Sequence, residues 1–284
     1  MHFQLRKVWP PLRSVDLIAK PLVLATYRMA PSLPFKFFET FAEIIEDILE
    51  RPVVLLHETK DNRPIPSDLV EIAIMPASEN WNIGKLLPVT FEFQHALNMP
   101  KCTNMYADVV VLKHSSPRIS LGRSMSSLQE CKVSIAKKNY RHNSVAGLFW
   151  NYLISTGRTP QFFATVLDAN NGRDVISMVI DGIADAGIVE APVLTCNRYN
   201  LVGAEELEIF ASIGPLPPYR IMIHPRAAEE YGNMLTDGLL ENDSKWHKRL
   251  NCLGILGFAK NSADNYKPID ETPVVTEIFY SSEY

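Results

Sequence analysis

The chain has 284 residues, of which 46% are hydrophobic and 21% are charged, and its formal net charge is −4. This composition is ordinary for a globular protein, and the length favours two domains. The negative charge argues against a nucleic-acid partner, which usually needs a basic face. No apolar run approaches the length of a membrane span, so no membrane insertion is predicted.

The N-terminus and the cysteines bear on the compartment. Pro10 and Pro11 interrupt the place where the apolar part of a signal peptide would lie, so no signal peptide is predicted. The four cysteines are widely spaced and form no CxxC pair, which argues against a zinc site and favours free thiols. We therefore predict a cytoplasmic protein. A secreted or periplasmic location would require further residues before Met1.

Strand and helix patterns alternate along most of the chain, which predicts an α/β architecture. In the first half, strands are predicted at 21–26, 52–56, 69–74 and 106–112, and a helix at about 33–50. In the second half, strands are predicted at 132–136, 164–167, 184–189, 207–212 and 219–224. Helices are predicted there at about 145–156, 171–181, 226–240 and 244–256. The tail after Lys267 is predicted to be irregular.

The segment Tyr140–Gly147, between a predicted strand and a predicted helix, is the main candidate for a ligand site. Capping residues followed by small residues at a helix start leave backbone N–H groups without partners. The positive end of the helix dipole lies behind these groups, which together favour a small anion. The alternative is an ordinary N-cap that closes a strand-to-helix turn, and the local sequence alone favours this alternative.

Several segments match one known family in sequence and in order, over roughly residues 20–275. They are Asp68–Pro76, Tyr106–Lys113 with Ser116–Ile119, Lys132–Ala136, Asn143–Gly147, Asp181–Glu190, Leu250–Phe258 and Tyr266–Pro268. Together they resemble the phosphonate-binding substrate receptors of ABC importers, which have the type 2 periplasmic binding protein fold. The resemblance implies two α/β lobes with a ligand cleft between them. Lobe one would comprise residues 1–113 and 219–284, and lobe two residues 114–218.

The resemblance also implies the ligand-binding residues. The receptor loop that holds the phosphonate corresponds to Asn143, Ser144, Val145, Ala146 and Gly147. The receptors grip the phosphonyl oxygens with several hydroxyl groups, whereas only Ser144 keeps a hydroxyl here. Because each lost hydroxyl donor to a charged acceptor costs about 1.5–3 kcal/mol, phosphonate affinity should be weakened or redirected.

Other positions are assigned by the same resemblance. Glu190 would receive the amino end of a ligand, and the alternative is an acid that begins a helix, where the dipole favours negative charge. Tyr27 would face the cleft or be structural, and Met75 would line the cleft. His142 and Arg173 would replace a receptor histidine that this chain lacks, unless both point to solvent.

The sequence contains no GxSxG, P-loop, HExxH or GxGxxG motif, so no catalytic residue, cofactor or metal is predicted. The favoured function is the binding of a small oxyanion, namely a phosphonate, a phosphate ester or a carboxylate. One alternative is an intracellular enzyme on the same fold, of the thiamine-pyrimidine or menaquinone-pathway type. Another is a scaffold homologue that binds nothing. Without a signal peptide, an ABC permease is a doubtful partner.

Overall fold

The computed structural model describes residues 20–57, 68–114, 124–136, 144–241, 244–267 and 278–279. Two open sheets carry most of the structure, and each is covered by helices. None of the helices in these residues is long and apolar enough to cross a membrane.

The first sheet is formed mainly by the N-terminal part of the chain. Its strands are β1 (Leu22–Thr26), β2 (Val53–Leu56), β3 (Ile72–Met75), β4 (Lys85–Leu86) and β11 (Arg220–Ile223), in the order β2-β1-β3-β11-β4. β1, β2 and β3 are parallel, whereas β11 is antiparallel to β3. Alternate residues of β1 and β3 pack on helix α1 (Phe35–Leu49) or on a smaller apolar cluster around Trp81. Burial on both faces explains why these strands are apolar throughout.

The second sheet has the order β13-β10-β6-β9-β7-β8. Its strands are β6 (Met105–Leu112), β7 (Lys132–Ala136), β8 (Thr165–Ala169), β9 (Ala186–Glu190), β10 (Leu207–Leu216) and β13 (Ile278–Phe279). β7, β8 and β9 are parallel, and β6 is antiparallel to both β9 and β10. Helices α2 (Val145–Ser155), α3 (Gly172–Ile180) and α4 (Ala191–Asn197) pack against this sheet.

The remaining elements complete the first lobe. β5 (Val89–Phe93) pairs with β12 (Ile255–Lys260), and helices α5 (Pro225–Leu240) and α6 (Ser244–Asn251) pack beside α1. The centre of the Phe91 ring in β5 lies 5.1 Å from that of Phe37 and 5.0 Å from that of Phe41. The pair of strands β5 and β12 therefore packs against α1.

The structure confirms the predicted α/β fold and corrects some of the predicted elements. The helix predicted to reach residue 256 is wrong in its last part, since α6 ends at Asn251 and β12 begins at Ile255. Gly254 adopts a positive φ of 68°, a conformation that favours glycine and ends the helical segment. β5 and α4 were not predicted, and β13 lies in the tail that was predicted to be irregular.

The lobe boundaries predicted from the sequence stay a prediction. β6 and β10 pair with each other in the second sheet, and β11 lies in the first. Among the described residues, the segments 94–104 and 217–219 therefore connect the two parts of the structure, and the chain returns to the second sheet once more before β13.

Candidate ligand-binding site between the lobes

A cavity of about 80 Å³ lies between the two sheets, with residues of both lobes in its wall. The wall includes Ala136 and Glu190, which end β7 and β9, and the loop that follows β1. Open α/β sheets bind their ligands at this position, at the carboxyl ends of parallel strands. The volume has room for only a few water molecules, so the cavity suits a small ligand.

The N-terminus of α2 forms one side of the cavity. Ser144 is the N-cap, and its Oγ accepts a hydrogen bond of 3.1 Å from the N–H of Gly147. Val145 and Ala146 line the cavity, and they belong to the first turn, where N–H groups have no partner within the helix. Ser144 is buried behind them, and neither it nor Gly147 is among the lining residues. The unpartnered amides of a first helical turn and the helix dipole together favour an anion beside these two residues.

The N-terminus of α3 forms a second side of the cavity and is hydrogen-bonded to the loop that follows β1. Asn171 is its N-cap, and its Oδ1 accepts a hydrogen bond of 3.0 Å from the N–H of Asp174. The N–H of Gly172 donates to Oγ of Ser32 at 3.1 Å, and Nδ2 of Asn197 donates to the carbonyl of Ser32 at 2.7 Å. Ser32 lies in the loop after β1, so both hydrogen bonds cross the cleft and hold the lobes together around the cavity.

Arg28 provides the cationic side chain of the cavity wall. Its backbone has a φ of 57°, which is uncommon for a residue with a side chain. Its Nη1 donates to Oε1 of Glu79 at 2.5 Å, and its guanidinium lies 5.2 Å from the centre of the Tyr27 ring. Its Nε is buried and has no hydrogen-bond partner among the described residues. A buried donor without a partner costs about 1–3 kcal/mol.

Glu190 is an acidic residue of the cavity wall. Its Oε2 accepts a hydrogen bond of 2.5 Å from the hydroxyl of Tyr219, which is fully buried. Burial raises the pKa of the Glu190 carboxyl, and the hydrogen bond from Tyr219 opposes this rise. Burial and the adjacent carboxylate also raise the pKa of the Tyr219 hydroxyl well above its ordinary value. Glu190 therefore holds its proton to a higher pH than an exposed glutamate does.

The other residues predicted for the site have different positions. Met75 is fully buried in the cluster around Trp81, and Tyr27 packs against the same cluster. Arg173 is exposed on the first turn of α3 and does not line the cavity. His142 and Asn143 lie outside the described residues.

Three ionisable residues of the cavity wall were missed by the sequence analysis. They are Arg28, Glu79 and Tyr219. The left-handed conformation of Arg28 has no signature in the sequence, because such positions usually hold glycine. Tyr219 could have been suspected, since it follows a pair of prolines and opens a predicted strand.

Replacement of Glu190 by glutamine is expected to raise the melting temperature at pH 7–8 and to leave it unchanged at pH 4. A carboxyl whose pKa is raised by folding stabilises the protein fully below its unfolded pKa. That stabilisation is lost as the pH rises through the folded pKa. Glutamine has no charge to desolvate, and each unit of pKa difference corresponds to about 1.4 kcal/mol. Calorimetric melting across this pH range measures the effect.

The matched control is Glu206→Gln, because Glu206 is exposed. Its melting temperature should follow that of the wild type at every pH. If Glu190→Gln also followed the wild type throughout, the desolvation of Glu190 would be contradicted.

No family model and no curated protein sequence matches the chain, but solved structures do. A binding protein component of an ABC phosphonate transporter from Pseudomonas aeruginosa has a TM-score of 0.64 at 13% identity, covering 87% of this chain and 84% of that one. PhnD1 from Prochlorococcus marinus, in complex with methylphosphonate, has a TM-score of 0.61 at 15% identity, covering 87% and 94%. A Xanthomonas citri protein bound to chloride has a TM-score of 0.53 at 16% identity, covering 86% and 92%. At these identities the similarity concerns the fold, and the chain has the two-lobed type 2 periplasmic binding protein fold.

Proposed function

We propose that the chain is a binding protein for a small molecule that carries both an oxyanion and an amino group. The oxyanion is a phosphonate, a phosphate ester or a carboxylate, and it binds at the N-terminus of α2. The observation that carries the proposal is the composition of one cavity wall. The same cavity is lined by Val145 and Ala146 of the first turn of α2, by the cationic residue Arg28 and by the acidic residue Glu190.

The charges of the cavity favour a zwitterion over a simple anion. Arg28 is already paired with Glu79, so the oxyanion would share its guanidinium rather than neutralise it. Glu190 would repel a ligand that carries negative charge alone, whereas an ammonium group beside it would stabilise the carboxylate and lower its pKa. The ligand is therefore expected to direct its amino group toward Glu190 and its oxyanion toward α2.

Structures of the same fold support the anionic end of this ligand. They include proteins bound to methylphosphonate, to chloride and to ATP. The reduced number of hydroxyl groups in this chain still argues for weaker phosphonate binding than in the receptors that it resembles, because the remaining donors are mainly backbone amides.

A melting-temperature series tests the proposal. Methylphosphonate, aminomethylphosphonate, inorganic phosphate, acetate and glycine are added separately to the purified chain. A ligand that binds only the folded state raises the melting temperature as its concentration rises. At a concentration of one hundred times its Kd, it stabilises the folded state by about 2.7 kcal/mol. The amino-bearing anions are expected to give the larger rises. Unchanged melting with every probe would contradict the proposal.

The same series separates the alternatives predicted from the sequence. A binding protein returns each probe unchanged, whereas an enzyme of this fold would convert one of them, which analysis of the recovered probes would detect. A scaffold without a functional cleft would respond to none. The cytoplasmic location remains a prediction, and so does the statement that an ABC permease is a doubtful partner.

A further inference from the structure

A second cavity, of about 340 Å³, lies at the other end of α4 from the ligand cavity. Glu190 and Val193, at the N-terminus of this helix, line the ligand cavity, whereas Thr195 and Arg198, toward its C-terminus, line the second cavity. We call the second one the hinge cavity, because its wall includes residues of segment 94–104, which connects the two parts of the structure. Its volume lies within the range of about 300–1,000 Å³ that is usual for small-molecule sites.

Asp108 contributes a buried carboxylate to the hinge cavity. Its side chain is almost fully buried, and its Oδ1 accepts a hydrogen bond of 2.6 Å from the hydroxyl of Ser212. Nε2 of His95 lies 3.2 Å from the same oxygen. The N–H of Leu97 donates to Nδ1 of His95 at 3.2 Å, so a neutral imidazole there carries its proton on Nε2 and donates it to Asp108.

The negative charge of Asp108 is therefore held by neutral donors. Both of these donors reach Oδ1, and no hydrogen bond from a described residue reaches Oδ2. A buried carboxylate is costly unless a cation is paired with it. Because Asp108 lines the hinge cavity, a ligand with an ammonium group would supply that cation.

Arg198 contributes the opposite charge to the same cavity. It is partly buried, and its Nη2 donates a hydrogen bond of 3.2 Å to the carbonyl of Leu207. Arg198 and Asp108 both line the hinge cavity, yet they form no ion pair with each other. Two opposite charges that share a cavity without meeting suit a ligand that carries both complementary charges.

The wall of the hinge cavity also has an apolar part. Ile209 of β10 and Tyr199 both belong to it. The side chain of Tyr199 is 84% exposed, which leaves most of its ring available for contact with a ligand. Aromatic rings provide a large apolar contact area. The ligand is therefore expected to have an apolar side chain in addition to its two charges.

We propose that the hinge cavity binds a free amino acid with a large apolar side chain. Its ammonium group lies against the carboxylate of Asp108, and its carboxylate lies against the guanidinium of Arg198. Its side chain packs on Tyr199 and Ile209. The hinge cavity and the ligand cavity have no lining residue in common, so the two sites bind their ligands separately.

Isothermal titration of the full chain with L-phenylalanine tests this proposal. Phenylalanine is too large for the ligand cavity, which has room for only a few water molecules. 2-Phenylethylamine lacks the carboxylate and 3-phenylpropionate lacks the amino group, so each is expected to bind about tenfold more weakly than phenylalanine. Absence of phenylalanine binding, or equal affinities for all three compounds, would overturn the proposal.

Two substitutions assign the charges. Arg198→Gln should weaken phenylalanine binding about tenfold and leave 2-phenylethylamine binding unchanged. Asp108→Asn, which keeps the shape of the side chain, should weaken phenylalanine binding and leave 3-phenylpropionate binding unchanged. The matched control is Arg226→Gln, at an exposed position on α5, which should bind phenylalanine as the wild type does. Arg198 is only partly buried, so Arg198→Gln is expected to fold, and wild-type affinity in this variant would overturn the proposal.

Ser144→Asp separates the two sites. This variant should bind phenylalanine with the wild-type affinity, because Ser144 lies outside the hinge cavity. Loss of phenylalanine binding in Ser144→Asp would place phenylalanine at the ligand cavity and overturn the proposal. Failure of the wild type to bind aminomethylphosphonate would contradict the proposed function alone, since phenylalanine would still bind in the hinge cavity.

Discussion

Replacement of Ser144 by aspartate is expected to abolish binding of the oxyanion, with at least a tenfold loss of affinity. Two like charges about 4 Å apart repel each other by about 4 kcal/mol at the effective dielectric constant of a protein surface, and about 1.4 kcal/mol already gives a factor of ten. Ser144 caps α2, directly before the two amides that line the cavity. Aspartate is as good an N-cap as serine, so the helix itself should persist. Isothermal titration with aminomethylphosphonate measures the loss.

The control for this prediction is Ser144→Asn, which has nearly the same shape as aspartate and is also a good N-cap. Its affinity should stay within a fewfold of the wild type, because it adds no charge. Equal affinities of the wild type and Ser144→Asp would exclude the N-terminus of α2 as the anion site. A similar loss in both variants would mean that shape, rather than charge, determines binding.

Gly187→Ala is expected to lower the free energy of unfolding by about 1–3 kcal/mol, the usual cost of an added methyl group in a packed interior. A Cβ at this position in β9 would lie 2.7 Å from Cγ1 of Val175 and 2.9 Å from Cγ2 of Val179, both on α3. α3 would have to move away from the sheet, and its N-terminus forms one side of the cavity. Chemical denaturation measures the stability, and ligand titration measures the effect on the site.

Gly232→Ala is the matched control. Gly232 lies inside α5, and the nearest heavy atom to an added Cβ would be that of Ala228, at 3.8 Å. Alanine in an open helical position stabilises by about 0.5–1 kcal/mol relative to glycine. The two glycine substitutions should therefore change stability in opposite directions. Equal effects would mean that close packing of α3 on β9 is not what requires Gly187.

Local patterns in the sequence predicted much of the fold. β7 was predicted with both ends correct, because an apolar strand is followed there by capping residues that begin a helix. The Asp-Ala-Gly sequence at 185–187 marks a strand entry. Asp185 Oδ2 accepts a hydrogen bond of 2.7 Å from the N–H of Lys132. Gly187 has no side chain, which lets Val175 and Val179 of α3 pack closely on β9. Such features depend on neighbours in sequence or on the family pattern, and both are visible in the chain.

The missed features depend on contacts between distant residues. β5 pairs with β12 across more than 150 positions, and the helix predicted to reach residue 256 overlapped the start of β12. The hydrogen bond between Tyr219 and Glu190 and the ion pair between Arg28 and Glu79 likewise join separate elements. These contacts form only when distant parts of the chain come together in the fold, so they could not be paired from sequence alone.

A crystal structure of the chain grown with aminomethylphosphonate tests the central claim most directly. The account predicts electron density in the cavity between the lobes. The phosphonyl oxygens should lie within hydrogen-bond distance of the amides of Val145 and Ala146 and near the guanidinium of Arg28. The amino group should lie against the carboxylate of Glu190. A cavity that contains only water at saturating ligand, or a ligand with its amino group at the N-terminus of α2, would contradict it.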